Sequence, residues 1–415
     1  MSDKVYIIGV GMTKFGKFLE KSTKVFTGEA LESVHKDCDL NKDDIEAAWF
    51  SNSGWGMRNH QHCIRGQVAL SANGIDKIPM TNVENACAGG STALHGAWTA
   101  IKAGLYDCTL AIGVEKVYHE NRSLMMKGFI AGTDVERTTA MIEYLKKQAK
   151  KRKKREARKQ GTEVQKEKKG GHSAFMDLYA AAARLHIKKY GTTQRHLAVV
   201  AAKNHNNSTL NPLAQYTFPM TVEQVLEDYE VAWPLTRSMC APVGDGSAAA
   251  ILCSEKFLKE HPTTRAIFIR ASVLQSGSWG KDTISKRAST IAYKMAGLGP
   301  EAINVAEVHD ATAFGELHQI EQLGFCPVGK SGPFSESGAT ALDGKIPINP
   351  SGGLLSRGHP IGASGLAQIY ELVTQLRGEA GKRQINDPKI ALAENGGGNI
   401  GPGEAALCVH ILEKI

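Results

Sequence analysis

Short apolar runs closed by glycine alternate along this chain with segments of helical period. Lys4 to Gly11 reads as a buried strand running into a loop, Thr27 to Cys38 as a helix, and Ile45 to Asn52 as a second strand. Gly54 to Ala72 begins as a polar loop and turns helical. Thr81 to Asn85 reads as a strand, Ser91 to Leu105 as a mostly apolar helix, and Tyr106 to Glu115 as a further buried strand. Apolar strands separated by helices predict an α/β fold, with a parallel-type sheet covered on both faces.

From about Val117 to Leu235 the pattern changes to helix-rich segments with Met-rich and aromatic loops. The strand pattern returns over Gly244 to Cys253, and a second α/β block opens at Arg265. The two blocks echo each other. Each opens on a strand entering a Gly-containing loop (Val5 to Gly11, Ile267 to Gly277), carries a glycine-rich turn before a helix, and closes on a glycine turn and strand. This is an internal duplication. It divides the chain into a first half over 1–117 plus 235–260, an inserted helix-rich segment over 118–234, and a second half over 261–415.

Composition changes this picture little. The 415 residues, 42% hydrophobic and 22% charged, suit a soluble globular protein with a large core. No apolar run reaches membrane-spanning length and the chain enters a strand at once, so the expected location is cytoplasmic. Eight cysteines with no Cys-x-x-Cys pair argue against a disulfide scaffold or a zinc site, and His60, His62 and Cys63 read as a loop or interface feature. The net charge of +8 has a local origin: Lys146 to Lys169 holds 13 Lys or Arg against 3 Glu, leaving the remainder near neutral. That run has almost no apolar face and should project into solvent; without interleaved aromatics it does not read as a nucleic-acid site.

Four stretches carry candidate chemistry. In Val83 to Gly104, a turn of small residues delivers Cys87 to a helix start, where the helix dipole and unpaired amides favour thiolate. In Ala306 to Phe314, a strand end delivers His309 and Asp310; histidine there can polarise a carbonyl or shuttle a proton. In Asn349 to Leu366, glycines surround His359, which precedes Pro360 at a helical first turn. In Leu392 to Gly401, Glu394 and Asn395 lead into consecutive glycines whose amides suit an oxyanion. Each stretch alone also has a plain structural reading; together, the duplication brings Cys87 and His359 to a shared centre.

The Cys turn, the Gly-His-Pro-x-Gly-Ala-Ser-Gly motif around His359, the terminal glycine loop and the duplicated core occur in thiolase order, and the chain resembles the thiolase superfamily over essentially its whole length. The His-Asp pair is similar to that of the sterol-carrier-protein type. The resemblance implies two βαβαβαββ halves in five layers, α-β-α-β-α, with an inserted loop domain. It implies that Cys87 attacks an acyl carbonyl, that His359 removes its proton and with His309 polarises the thioester oxygen, and that the amides of Cys87 and Gly396 hold a second oxyanion. It places coenzyme A, as a substrate, along the loop domain; Gly353, Ser356 and Ser247 are assigned as its contacts. A homodimer or dimer of dimers is expected, and relatives of this sort often work with a small subunit carrying a zinc ribbon and an oligonucleotide-binding-type barrel.

One departure matters. The second cysteine of ordinary thiolases is missing: Glu394 stands at one of its two family positions and Ala311 at the other. Glu394, His309 or a substrate carboxylate is left to move that proton. The expected activity is CoA-dependent cleavage of a 3-oxoacyl-CoA or the reverse Claisen condensation, with an aromatic substrate such as 2-benzoylsuccinyl-CoA, giving benzoyl-CoA and succinyl-CoA. The alternative is a thiolase-fold aldolase acting on a 3-hydroxyacyl-CoA, which the lost cysteine favours and the intact Cys87 opposes.

Overall fold

A computed structural model describes residues 4–121, 125, 129–140, 143–144, 174–280, 283–401 and 403–415. The basic stretch, 146–169, lies outside the described residues. In the first half, β1 (Val5–Met12), β2 (Ala47–Ser51), β3 (Met80–Val83) and β4 (Cys108–Glu115) form as expected, each within two residues of its sequence boundary at most ends. A small hairpin of β5 (Glu230–Ala232) and β6 (Leu235–Thr236) ends the inserted segment, and β7 (Gly246–Ser254) returns to the first half. The second half contributes β8 (Ile267–Ser276), β9 (Val305–Glu307), β10 (Ile390–Gly397) and β11 (Ala406–Lys414).

The nine strands run in the order β3-β2-β4-β7-β1-β8-β11-β10-β9. The duplication is visible in the pairing itself. β2 lies parallel to β4, which is antiparallel to β7, which is antiparallel to β1; β9, β10, β11 and β8 repeat that series. Two residue pairs, Tyr6 with Phe268 and Ile7 with Ile267, join the halves. The sheet is therefore mixed, not the parallel-type sheet that the apolar runs suggest. β1, β4 and β7 are buried along their whole length, and a strand covered on both faces has the same apolar pattern whatever the direction of its neighbour.

Two helices fill the space between the halves. Gly89–Lys102 packs Ala93, Leu94, Ala97 and Ile101 into one core with Leu366, Ile369, Leu372 and Leu376 of Ser364–Arg377, and strands of both halves line that core. Ser364–Arg377 buries 12 of its 14 residues, as a helix enclosed on every side must. Helix Thr23–Cys38 covers the far face of the first half and Ile284–Ala296 that of the second, completing five layers. In the inserted segment, helices Ala174–Tyr190 and Gln194–Ser208 pack through Ala180, Ala183 and Leu197 onto Phe314 and Leu317 of the helix Ala313–Gln322. No described helix is long and apolar enough to cross a membrane.

The two central helices cross at backbone contact. A Cβ on Gly365 would lie 2.6 Å from the Ser91 nitrogen, and one on Gly90 would lie 3.0 Å from the Gly362 carbonyl oxygen. Glycine inside a helix costs about 1 kcal/mol. Each buried leucine of the pair contributes about 2 kcal/mol, so the close crossing is affordable. Gly113 on β4 faces the same loop, and a Cβ there would overlap the Gly362 carbonyl oxygen. Gly113→Ala is expected to lose about 1–3 kcal/mol of stability, read as a lower denaturant midpoint with unchanged slope. An unchanged midpoint would mean that this loop yields freely.

Candidate active site

The turn carrying Cys87 is tight and strained. Ala86 sits at φ 48, a left-handed conformation that costs a residue with a Cβ on the order of 1–2 kcal/mol. The turn is held by Ala88 N–H to the Asn85 carbonyl and Gly89 N–H to the Ala86 carbonyl, both 3.0 Å. The glycine loop packs directly on it: a Cβ on Gly397 would overlap the Asn85 carbonyl and the Ala88 nitrogen. Gly398 is thereby brought near the Cys87 sulfur, where its amide favours the thiolate. Gly396, whose amide the family resemblance assigns to an oxyanion, lines the cavity two residues away.

His359 Nε2 lies 3.1 Å from Cys87 Sγ. Its Nδ1 is 2.7 Å from Ser364 Oγ, and that hydroxyl donates its single proton to the Pro360 carbonyl at 2.9 Å. Nδ1 must therefore carry the ring proton, and Nε2 presents its lone pair to the thiol. His309 is fixed in the opposite sense. Asn395 Nδ2 donates to His309 Nδ1 at 3.1 Å, so His309 Nε2 bears the proton. The two rings stand edge to face, 5.4 Å between centroids. Cys87, His309 and His359 place their ligand atoms within 4.8 Å of one another, close enough to hold a soft cation such as Zn²⁺, which would then occupy the nucleophile. Among the described residues this is the one such group, and His60, His62 and Cys63 do not form another.

Burial dominates the electrostatics. It pushes the Cys87 thiol up to about 12, with the carboxyls of Glu115 and Glu84 adding to the effect; the amides of Cys87 and Gly398 pull the other way without offsetting it. The thiolate expected at a helix start is not the resting form. Burial also lowers His309 to about 4 and His359 well below its usual value, with His309 and Arg357 reinforcing the latter. At neutral pH the site holds a thiol and two neutral imidazoles.

Glu394 does not reach the cavity. Its Oε2 accepts the His309 amide at 2.9 Å, and its carboxyl is enclosed, so burial pushes it toward the protonated form. It holds His309 from behind, which does not fit the proton-transfer role expected of it. Asp310 likewise faces away, accepting from Leu354 N–H at 2.6 Å and Asn204 Nδ2 at 2.8 Å, and so anchors the turn Gly353–Ser356 that leads to His359. The three residues assigned to coenzyme A are not at the cavity either. Gly353 packs its backbone on the Asp310 carboxylate. Ser356 Oγ is bonded to Ser208 Oγ at 2.6 Å, and Ser247 Oγ donates to the Phe26 carbonyl at 2.7 Å; both serines are fully buried. Small residues near a catalytic motif also serve close packing, and sequence does not separate the two uses.

The cavity has a volume of about 1000 Å³ and runs from Cys87, His309 and His359 to the inserted segment, whose Phe175, Tyr179 and Leu185 form one wall. Lys17 and Lys189 stand along it, and Ala311 leaves room where a second thiol would project. Ser364, Asn395, Gly398 and Glu404 were not singled out as site residues from the sequence. The first three lie inside quoted motifs and act through hydrogen bonds that only the fold specifies. Because the resting Cys87 is a thiol, its alkylation by iodoacetamide should accelerate about tenfold per pH unit from 7 to 9.5 with no plateau. A rate independent of pH across that range would instead indicate a thiolate–imidazolium pair.

The thiolase N-terminal domain model matches residues 5–232, and the thiolase C-terminal domain-like model matches residues 270–413. The acetyl-CoA acetyltransferase of Methanothermobacter thermautotrophicus is 38% identical over 418 residues, covering 99% of both chains. Sterol carrier protein 2 of Oryctolagus cuniculus is 34% identical over 423 residues, covering 97% of this chain and 71% of that one. Among solved structures, the Ltp2-ChsH2(DUF35) aldolase superposes with a TM-score of 0.75 at 19% identity, over 99% of this chain and 98% of that chain, a likeness of fold. With both domain models in order and a full-length relative at this identity, the chain belongs to the thiolase family and is an acyltransferase.

Proposed function

We propose that this protein exchanges acyl groups between a 3-oxoacyl-CoA and coenzyme A through an acyl-enzyme on Cys87. The observation that carries the reading is the 3.1 Å approach of His359 Nε2 to the Cys87 sulfur, with the other ring nitrogen committed to Ser364. His359 takes the thiol proton as sulfur attacks the 3-oxo carbon. The developing oxyanion faces the amides of Cys87 and the glycine loop at Gly396 and Gly398. His309, neutral and with its proton on Nε2, donates to the thioester oxygen of the departing fragment. Glu394 and Asn395 position His309 from opposite sides. Coenzyme A enters along the inserted segment, where Lys17 and Lys189 offer cations for its phosphates.

A bulky acyl group suits the cavity, whose wall includes Phe175 and Tyr179, and this supports an aromatic substrate of the 2-benzoylsuccinyl-CoA kind. The exposed edge of β3 at Thr81 and Asn82 suits pairing with a second copy of the chain. The aldolase whose fold this chain shares carries a DUF35 component in its name, which supports a small accessory subunit here as well.

Intact-protein mass after incubation with acetyl-, succinyl-, benzoyl- and 2-benzoylsuccinyl-CoA tests the reading. A mass gain matching one acyl group is expected, absent in Cys87→Ala and formed at least about 100-fold more slowly in His359→Asn. No gain in the parent protein while CoA esters still bind would remove the acyl-enzyme. Cleavage that survives Cys87→Ala would favour an aldolase.

A further inference from the structure

The acyl-enzyme reading leaves one proton without a carrier. Breaking the carbon–carbon bond of a 3-oxoacyl-CoA leaves an electron pair on the α-carbon, and a group other than the nucleophile must protonate it. Neither position of the family's second cysteine holds a thiol here, and Glu394 is sealed behind His309. Three carboxylates line the cavity among the described residues: Glu84, Glu120 and Glu404. Glu84 is committed through Oε1 to Ser53 Oγ and the Ala86 amide, both at 2.8 Å. Glu120 is exposed to solvent, on the stretch that follows β4. Glu404 is half-buried and lines the cavity beside Gly396 of the glycine loop.

Its position is set by the glycine loop. Glu404 Cγ lies 2.8 Å from where a Cβ on Gly396 would be, so the carboxylate side chain occupies the space that this glycine leaves open. Oε1 is 3.5 Å from the same point and accepts from Gln319 Nε2 at 3.3 Å. Gln319 is only 1% exposed and its own Oε1 has no partner, so a buried amide is given over to aiming this carboxylate. Tyr179 lines the same cavity, and its phenol is raised first by burial and then by the Glu404 carboxylate.

We infer that Glu404 is the acid–base group that moves the α-carbon proton, in the place of the missing thiol. During cleavage the Cys87 thiol proton goes to His359 as sulfur bonds to the 3-oxo carbon. It passes through solvent in the cavity to Glu404. The carbon–carbon bond breaks, its electron pair goes to the α-carbon, and Glu404 delivers the proton there, leaving Cys87 acylated. The CoA thiol then attacks the acyl group, and its proton returns by His359 to the released Cys87 sulfur. Condensation runs the same path backwards, with the Glu404 carboxylate removing the α-proton.

The inference rests on the acyl-enzyme reading, and the two half-reactions separate them. Acylation of Cys87 by acetyl-CoA or succinyl-CoA, read by intact mass, needs no α-proton transfer. Exchange of the α-hydrogens of the same esters with D₂O, read by mass spectrometry, needs that transfer and no acyl-enzyme. Glu404→Gln should acylate within about threefold of the parent while its exchange falls at least about 100-fold, and Glu404→Asp should exchange at an intermediate rate. Exchange within about threefold of the parent in Glu404→Gln overturns the inference. So does loss of acylation and exchange together in both variants, which would make Glu404 a structural residue. A parent protein that is acylated yet exchanges neither ester overturns it too. A parent protein that is never acylated would fail the acyl-enzyme reading instead.

Discussion

The site depends on the backbone contact between two helix starts. Gly90 and Ser91 on one side meet Gly362 and Gly365 on the other, closer than any side chain would permit. Each helix opens beside a reactive residue, Cys87 in one half and His359 in the other, so this crossing sets the 3.1 Å between sulfur and imidazole. The enclosing leucines and strands supply the stability, and the glycines supply the distance. Glu115 reinforces the geometry from below: its buried carboxylate accepts the amides of Ser53, Gly54 and Gly362, tying the first half to the His359 loop.

Enclosure has an electrostatic consequence. Removing water disfavours every charge at the centre, so the thiol is raised and both histidines are lowered. A neutral thiol beside a neutral base is inert until a carbonyl arrives, and attack then creates charge next to amides already in place. Tautomers are what the hydrogen bonds decide. Ser364 makes His359 an acceptor toward the thiol, and Asn395 makes His309 a donor toward the substrate, so two identical side chains take different tasks.

Carboxyl groups around the centre divide by access. Glu394 and Asp310 are sealed; both are held toward the neutral form and serve as anchors for His309 and for the turn before His359. Glu404 opens on the cavity beside Gly396. Sequence ranks these by nearness to a motif, which favours Glu394. Access to substrate is the property that matters for proton transfer, and it is settled by which side of His309 each carboxyl occupies.

The sequence by itself determined the duplication, the strand and helix positions to within a few residues, and the meeting of Cys87 and His359, to which the family resemblance added His309. These follow from apolar period, glycine punctuation and motif order, all of which are local. It did not determine strand direction, because β1, β4 and β7 are apolar on both faces whichever way their neighbours run. It did not determine the charge of Cys87, because the local pull of a helix start is smaller than the desolvation imposed by residues distant in sequence. Nor did it separate Ser247, Ser356 and Gly353 from true cavity residues, or bring forward Asn395 and Glu404. Burial and orientation are properties of the closed structure, fixed only when the two halves come together around the central helices.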